Sequence, residues 1–153
     1  MTAFLAALLL LPAVFAPHGG WHVGHDHAHA CPGVSAARCV QVGSWAATVP
    51  WRGCGECLPH KMIEALPAGG IVLQVNVAVE RPLAGKRGIT WPPRIRAADV
   101  GGVEGVSSRY GVYQLFAAFG QREAYVWAFF GRRHPSVAQL AAANEELRTV
   151  HLR

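Results

Sequence analysis

Residues 71–79 read IVLQVNVAV. Side chains alternate with period two along an extended chain, so Ile71, Leu73, Val75, Val77 and Val79 share one wholly apolar side. Val72, Gln74, Asn76 and Ala78 fall on the other. The pattern predicts a strand. Residues 39–49 (CVQVGSWAATV) open with the same alternation, Val40 and Val42 against Cys39 and Gln41, and predict a second. Residues 110–119 and 123–130 are apolar runs on either side of Gly120-Gln121, a hairpin pattern. Trp21 to Gly24 opens a further strand after Gly19-Gly20.

Two segments carry helical spacing. Pro59 suits a first helical position, where its missing N–H costs nothing. Met62, Ile63 and Leu66 then share a face, and Pro67 with Gly69-Gly70 ends the helix. Pro135 opens a second helix that runs to Leu147, with Val137, Leu140, Ala141, Asn144 and Leu147 expected on its inner face. Glu145 and Glu146 fall near its C-terminus, where the helix dipole disfavours them, so both are expected in solvent. Residues 80–109 are rich in Gly, Pro and Arg and predict a long irregular connection, stiffened by Trp91-Pro92-Pro93. No repeated strand–helix crossover emerges. The expected fold class is α+β: a single domain with a mostly antiparallel sheet of about five strands and two helices on one face.

The 153 residues, 52% hydrophobic and 15% charged, allow one domain with its own core. They exclude disorder over the whole chain, coiled coil, collagen, repeat array and multi-span membrane protein. Residues 2–16 (TAFLAALLLLPAVFA) are an uncharged apolar run of 15 residues. A bilayer-spanning helix needs about 20. The run fits the apolar region of a signal peptide, and Val14-Phe15-Ala16 ends in a small residue suited to cleavage. Two features sit poorly with that reading: no Lys or Arg precedes the run, and Pro17 directly follows the cut. The expected organisation is residues 1–16 as signal peptide or membrane anchor and 17–153 as the domain, secreted or held at the extracytoplasmic membrane face.

Export bears on the cysteines. Cys31, Cys39, Cys54 and Cys57 are even in number, which favours disulfides in an oxidising compartment. Four cysteines allow three connectivities, of which Cys31–Cys39 with Cys54–Cys57 is the most local. Cys54 and Cys57 form a CxxC before a helix, where a depressed thiol pKa would favour attack as thiolate. They are the candidate redox pair; as structural cysteines they would only clip a loop. His60 adds a third potential Zn ligand beside them, and one more would complete the set.

Five of the eight histidines, His18, His22, His25, His27 and His29, precede the first Lys or Arg, Arg38. Imidazole suits Zn, Cu or Ni, and in an extended chain His25, His27 and His29 project on one side. They are the candidate metal ligands, against the plainer reading of a solvated loop. The net charge of +5 comes from 14 Lys and Arg against 9 Asp and Glu. In an exported chain it points to an anionic cell surface or to solubility rather than to nucleic acid.

The pieces Gly20-Trp21-His22-Val23-Gly24, Leu66-Pro67-Ala68-Gly69-Gly70, Trp91-Pro92-Pro93-Arg94 and Phe129-Phe130-Gly131-Arg132-Arg133-His134-Pro135 resemble a family of uncharacterised exported actinobacterial proteins. The resemblance covers residues 20–150 and rests on Gly, Pro and aromatic positions that set turns and core. It implies export and no assigned reaction. The Trp51-to-Cys57 segment followed by helix and strand is more loosely similar to thioredoxin-like proteins.

Together these features predict an accessory or interaction domain without a catalytic constellation, exported or membrane-tethered. Its partner would be a protein or cell-envelope component, with membrane contact only through an N-terminal anchor and no cofactor. The alternatives are a thiol–disulfide oxidoreductase using Cys54 and Cys57, and a Zn-, Cu- or Ni-binding protein using His25, His27 and His29.

Overall fold

The computed structural model describes residues 13–26, 29–30, 40–53, 58–78, 88–120 and 122–152. In chain order the elements are β1 (Ala13–Val14), β2 (His22–His25), β3 (His29–Ala30), β4 (Val40–Ala47), α1 (His60–Ile63) and β5 (Ile71–Ala78). A 3-10 turn (Ala97–Asp99), β6 (Gly111–Phe119), β7 (Arg122–Phe130), α2 (Val137–Arg148) and β8 (His151–Leu152) follow. The main sheet runs β2-β4-β5-β7-β6, every neighbouring pair antiparallel, and β3 lengthens the ladder along β4. β1 and β8 form a small ladder of their own. The α+β, single-domain, mostly antiparallel architecture expected from the strand patterns is the one that forms.

β5 is the centre of this sheet, and all eight of its residues are buried. Its odd positions, Ile71, Leu73, Val75 and Val77, join Ala46, Val126, Ala128 and Phe130 in one apolar cluster. Ala143, Leu147 and Val150 from the α2 end of the chain cover that cluster. Val72, on the opposite face, packs with Phe129, Val112, Trp51 and Tyr110, and Ile63 and Leu66 lie over them. The two helices therefore lie on opposite faces, not on one as expected. The reason is in β5 itself: Val72 makes the second face as apolar as the first at that end of the strand, so it too needs a cover.

α1 is one turn long and does not reach Leu66. Pro59 at its N-cap provides no side-chain hydrogen bond, and such a short helix gains little from cooperativity. α2 is capped properly. Ser136 Oγ accepts from Gln139 N (3.2 Å), and the Gln139 carboxamide oxygen accepts from Ser136 N (3.0 Å). Its buried residues are Gln139, Ala143, Glu146 and Leu147, while Val137, expected inside, is 86% exposed. An alanine-rich helix has too little apolar contrast to set its own rotation. Polar anchors set it instead. Gln139 Nε2 donates to the Ala68 and Gly70 carbonyls (3.2 and 3.4 Å). Asn144 accepts from Ile95 N (2.8 Å) and donates to Ile95 O (3.0 Å).

That rotation buries Glu146 completely, contrary to its expected place in solvent. His18 Nδ1 stands 3.0 Å from Glu146 Oε2, yet neither carboxylate oxygen is in hydrogen-bonding geometry with any partner, so the pairing is one of charge alone. Burial pushes the Glu146 carboxyl up, and the His18 charge opposes this more weakly.

The folded part also starts earlier than residue 17. Ala13 and Phe15 are 2% and 1% exposed and belong to the cluster beneath α2. Ser44 Oγ donates to the Ala13 carbonyl (2.5 Å), and Ala16 N to Thr149 Oγ1 (3.3 Å).

A carboxyl whose folded pKa lies above its unfolded value adds stability below the unfolded pKa, and that contribution is lost as pH rises through the folded one. Glu146→Met, which fills the same space without a charge, should raise Tm at neutral pH by roughly 2–4 °C. The gain should shrink as pH falls through the raised carboxyl pKa toward the ordinary glutamate value, below which both states are protonated. Thermal unfolding at pH 7 and pH 4 checks both; an unchanged or lowered Tm at pH 7 would show that the ion pair offsets its desolvation.

Candidate functional site

On the face opposite α2, the register aligns side chains in rows across the sheet. Gly24, Trp45, Gln74, Trp127 and Gln114 make one row. Gly43, Asn76, Tyr125 and Phe116 make the next, and Asp26 extends it through its N–H to the Gly43 carbonyl (2.8 Å). Gln41 lies one position further along β4, opposite Ala78. Gln41, Gln74, Asn76 and Glu123 are 2%, 4%, 5% and 5% exposed. Three amides and a carboxylic acid are thus buried on a sheet whose other face is almost wholly apolar.

A buried amide is tolerated when its hydrogen bonds are made. Gln74 Nε2 donates to Asn76 Oδ1 (3.1 Å) and to Asp26 Oδ2 (3.4 Å). Asp26 and Asn76 reach each other's neighbourhood across Gly43, where a Cβ would lie 2.5 Å from Asn76 Oδ1 and 3.0 Å from Asp26 Oδ2. Gly24 plays the same part under Trp45, whose ring would be 2.3 Å from a Cβ there. The loop after β4 closes over the carboxylate: a Cβ on Gly53 would be 1.6 Å from Asp26 Oδ1. Two strand glycines and one loop glycine therefore make the room that the cluster occupies.

Beside the amides the face turns aromatic. Phe116 and Tyr125 stack at 3.8 Å between ring centroids, and Trp127 stacks on Phe129 at 5.8 Å. Gln114, Leu115, Phe116, Tyr125 and Trp127 line an open cleft of about 220 Å³. None of these side chains is ionised at neutral pH. Burial, and behind it the Glu123 charge, pushes the Tyr125 phenol up, keeping it a neutral donor. The cleft can stack against a flat apolar surface, with a carboxamide and a phenol at its edge to hydrogen-bond an uncharged group.

A second depression, lined by Glu64, Ser107, Arg109 and Tyr110, is taken up with internal bonds. Tyr110 OH donates to the Glu64 carbonyl and accepts from Arg109, whose guanidinium lies 4.7 Å from the Tyr110 ring centroid. Ser107 N donates to Glu64 Oε1 (3.2 Å), and His60 Nδ1 to the Gly105 carbonyl (2.7 Å). These bonds pin the loop before β6 to α1.

The sequence candidates fare differently. Cys31, Cys39, Cys54, Cys57 and His27 lie outside the described residues. His25 pairs with Ser44 and position 29 with Gln41. Among the described residues no three His, Cys, Asp or Glu stand close enough to hold a metal. Asp26, Gln41, Gln74 and Asn76 were not among the sequence candidates. Their trace in the sequence is faint: amides set between valines, and glycines inside strand patterns.

Gly43→Ala should cost about 1–3 kcal/mol by driving Asn76 and Asp26 apart. Gly69→Ala, with open space around it, should change stability by less than about 0.5 kcal/mol. Urea unfolding of both variants tests whether the amide cluster depends on the missing side chain; equal midpoints would mean that it does not.

No helix among the described residues is long and apolar enough to cross a membrane. Comparison of the chain with protein-family models, curated proteins and solved structures finds no match.

Proposed function

We propose that the protein is an exported or membrane-tethered accessory domain that binds a neutral sugar ring of a cell-envelope component in the Trp127–Tyr125–Phe116 cleft. One observation carries the reading. An uncharged aromatic cleft opens beside a cluster of buried amides on the same face of the sheet. A sugar ring offers aliphatic C–H surface to stack on indole and phenol rings, and hydroxyls to a carboxamide. Gln114, exposed at the cleft edge, is the group placed to meet them. The hydroxyls of Ser44, Thr48, Tyr110 and Thr149 all donate to backbone carbonyls, so these four serve the fold rather than chemistry.

Titration with neutral oligosaccharides, followed by tryptophan fluorescence, tests this. The expected result is saturable binding that weakens about tenfold in Trp127→Ala, the loss of a stacking contact and its burial. Gln114→Ala should weaken it less. Identical responses of wild type and Trp127→Ala would reject the cleft as the site.

A second reading, thiol–disulfide exchange by Cys54 and Cys57, draws support from the contact of the Asp26 carboxylate with Gly53, the residue before Cys54. A carboxylate brought beside a thiol can serve as its proton acceptor. Insulin reduction by wild type, Cys54→Ser and Asp26→Asn decides it. Activity lost in the first variant and lowered in the second supports exchange; equal background rates in all three end it.

A further inference from the structure

We infer that the Ala16–Pro17 bond is not a processing site, and that the mature protein begins at or before Ala13. The inference rests on the export reading but concerns a separate question: which part of the apolar N-terminal run belongs to the domain.

By composition, residues 2–16 are a single apolar run ending in a small residue. In the fold, the last four of them do different work. Ala13 and Val14 form β1, in register with Leu152 and His151 of β8. Phe15 is 1% exposed, among the largest fully buried side chains, and packs in the cluster of Leu73, Val75, Phe130 and Leu147. The Ala13 carbonyl accepts from Ser44 Oγ (2.5 Å) in the middle of β4, so the segment is tied to the main sheet as well as to β8. Ala16 N is tied to Thr149 at the end of α2. Immediately after, His18 places its ring nitrogen 3.0 Å from the fully buried Glu146 carboxylate.

A cut after Ala16 would remove every one of these contacts except the last. It would leave β8 without a partner strand, open the Phe15 site over the centre of β5, and put a new charged α-amino group beside His18. Apolar character is what makes 13–16 resemble the end of a signal peptide, and the same property lets Ala13 and Phe15 join the core beneath α2.

Three chain lengths, starting at Met1, Ala13 and Pro17 and released from a removable fusion, are compared by thermal unfolding. The first two should match, and the third should melt roughly 10 °C or more lower, or fail to fold, as expected for loss of a buried Phe and its strand. Phe15→Ala in the Met1 chain should move Tm in the same direction. In parallel, the Met1 chain is expressed in an exporting bacterial host, and the protein outside the cytoplasm is read by intact mass and N-terminal sequencing. A mature start at Ala13 or earlier is expected. A start at Pro17, or a Pro17 chain as stable as the Ala13 chain, overturns the inference. Recovery of the chain only from the cytoplasm counts against export, and the comparison of lengths then decides the inference by itself.

Discussion

The structure depends on one constraint: β5 is buried on both faces. Its backbone is paired on each side, by β4 and by β7, which satisfies its N–H and C=O groups away from water. Its side chains then need two separate covers. One is built from α2, the strand at Ala13 and the segment around Ile95. The other is built from Trp51, Ile63, Leu66 and Tyr110. A strand of this kind usually reads as continuously apolar. Here Gln74 and Asn76 interrupt it, and burying them requires that their amides be bonded. The polar cluster is therefore a consequence of where β5 lies in the sheet, and the glycines at 24, 43 and 53 are what make room for it.

The first cover shows how little of the docking is done by apolar contrast. α2 is alanine-rich, and its orientation is fixed by two amides. Gln139 reaches the loop before β5, and Asn144 holds both backbone groups of Ile95. Trp91 completes this side, with its indole N–H on the Val150 carbonyl (2.9 Å) and its ring edge-on to Phe119 at 5.0 Å. Once these are in place Glu146 has no route to solvent. Its desolvation is a cost of the packing, partly offset by His18.

The second face carries the features that fit recognition. Bonded amides in the interior give it fixed donors and acceptors, and the aromatic cleft adjoining them has no ionised group. Rigid sheet elements hold both, which favours a preorganised surface over one that must order on binding. Asp26 bonds to Gln74 within this face and lies against Gly53 of the loop after β4.

Period-two alternation placed β4 and β5 nearly to the residue, because that pattern follows directly from the geometry of an extended chain, and the apolar runs around Gly120-Gln121 placed the β6–β7 hairpin. Pro59 and Pro135 marked where α1 and α2 begin for equally local reasons, while α1 stops at Ile63, short of Pro67. What local pattern could not reach was orientation and partnership. On α2, Leu140, Asn144 and Leu147 face inward as expected while Val137 and Ala141 face out, because alanine distinguishes inside from outside too weakly and distant anchors at residues 68, 70 and 95 set the rotation. The short helix went to the second face because Val72 needed a cover there. Residues 13–16 read as the tail of an export segment because hydrophobicity serves a signal peptide and a protein core alike. Asp26, Gln41, Gln74 and Asn76 come from three separate stretches of chain, and alternation alone leaves polar residues free to face water. The sequence by itself thus determined the strands, their order of appearance and the α+β class. Only the tertiary structure decided which polar groups would be buried together, because that depends on which strands become neighbours and not on what any one of them prefers.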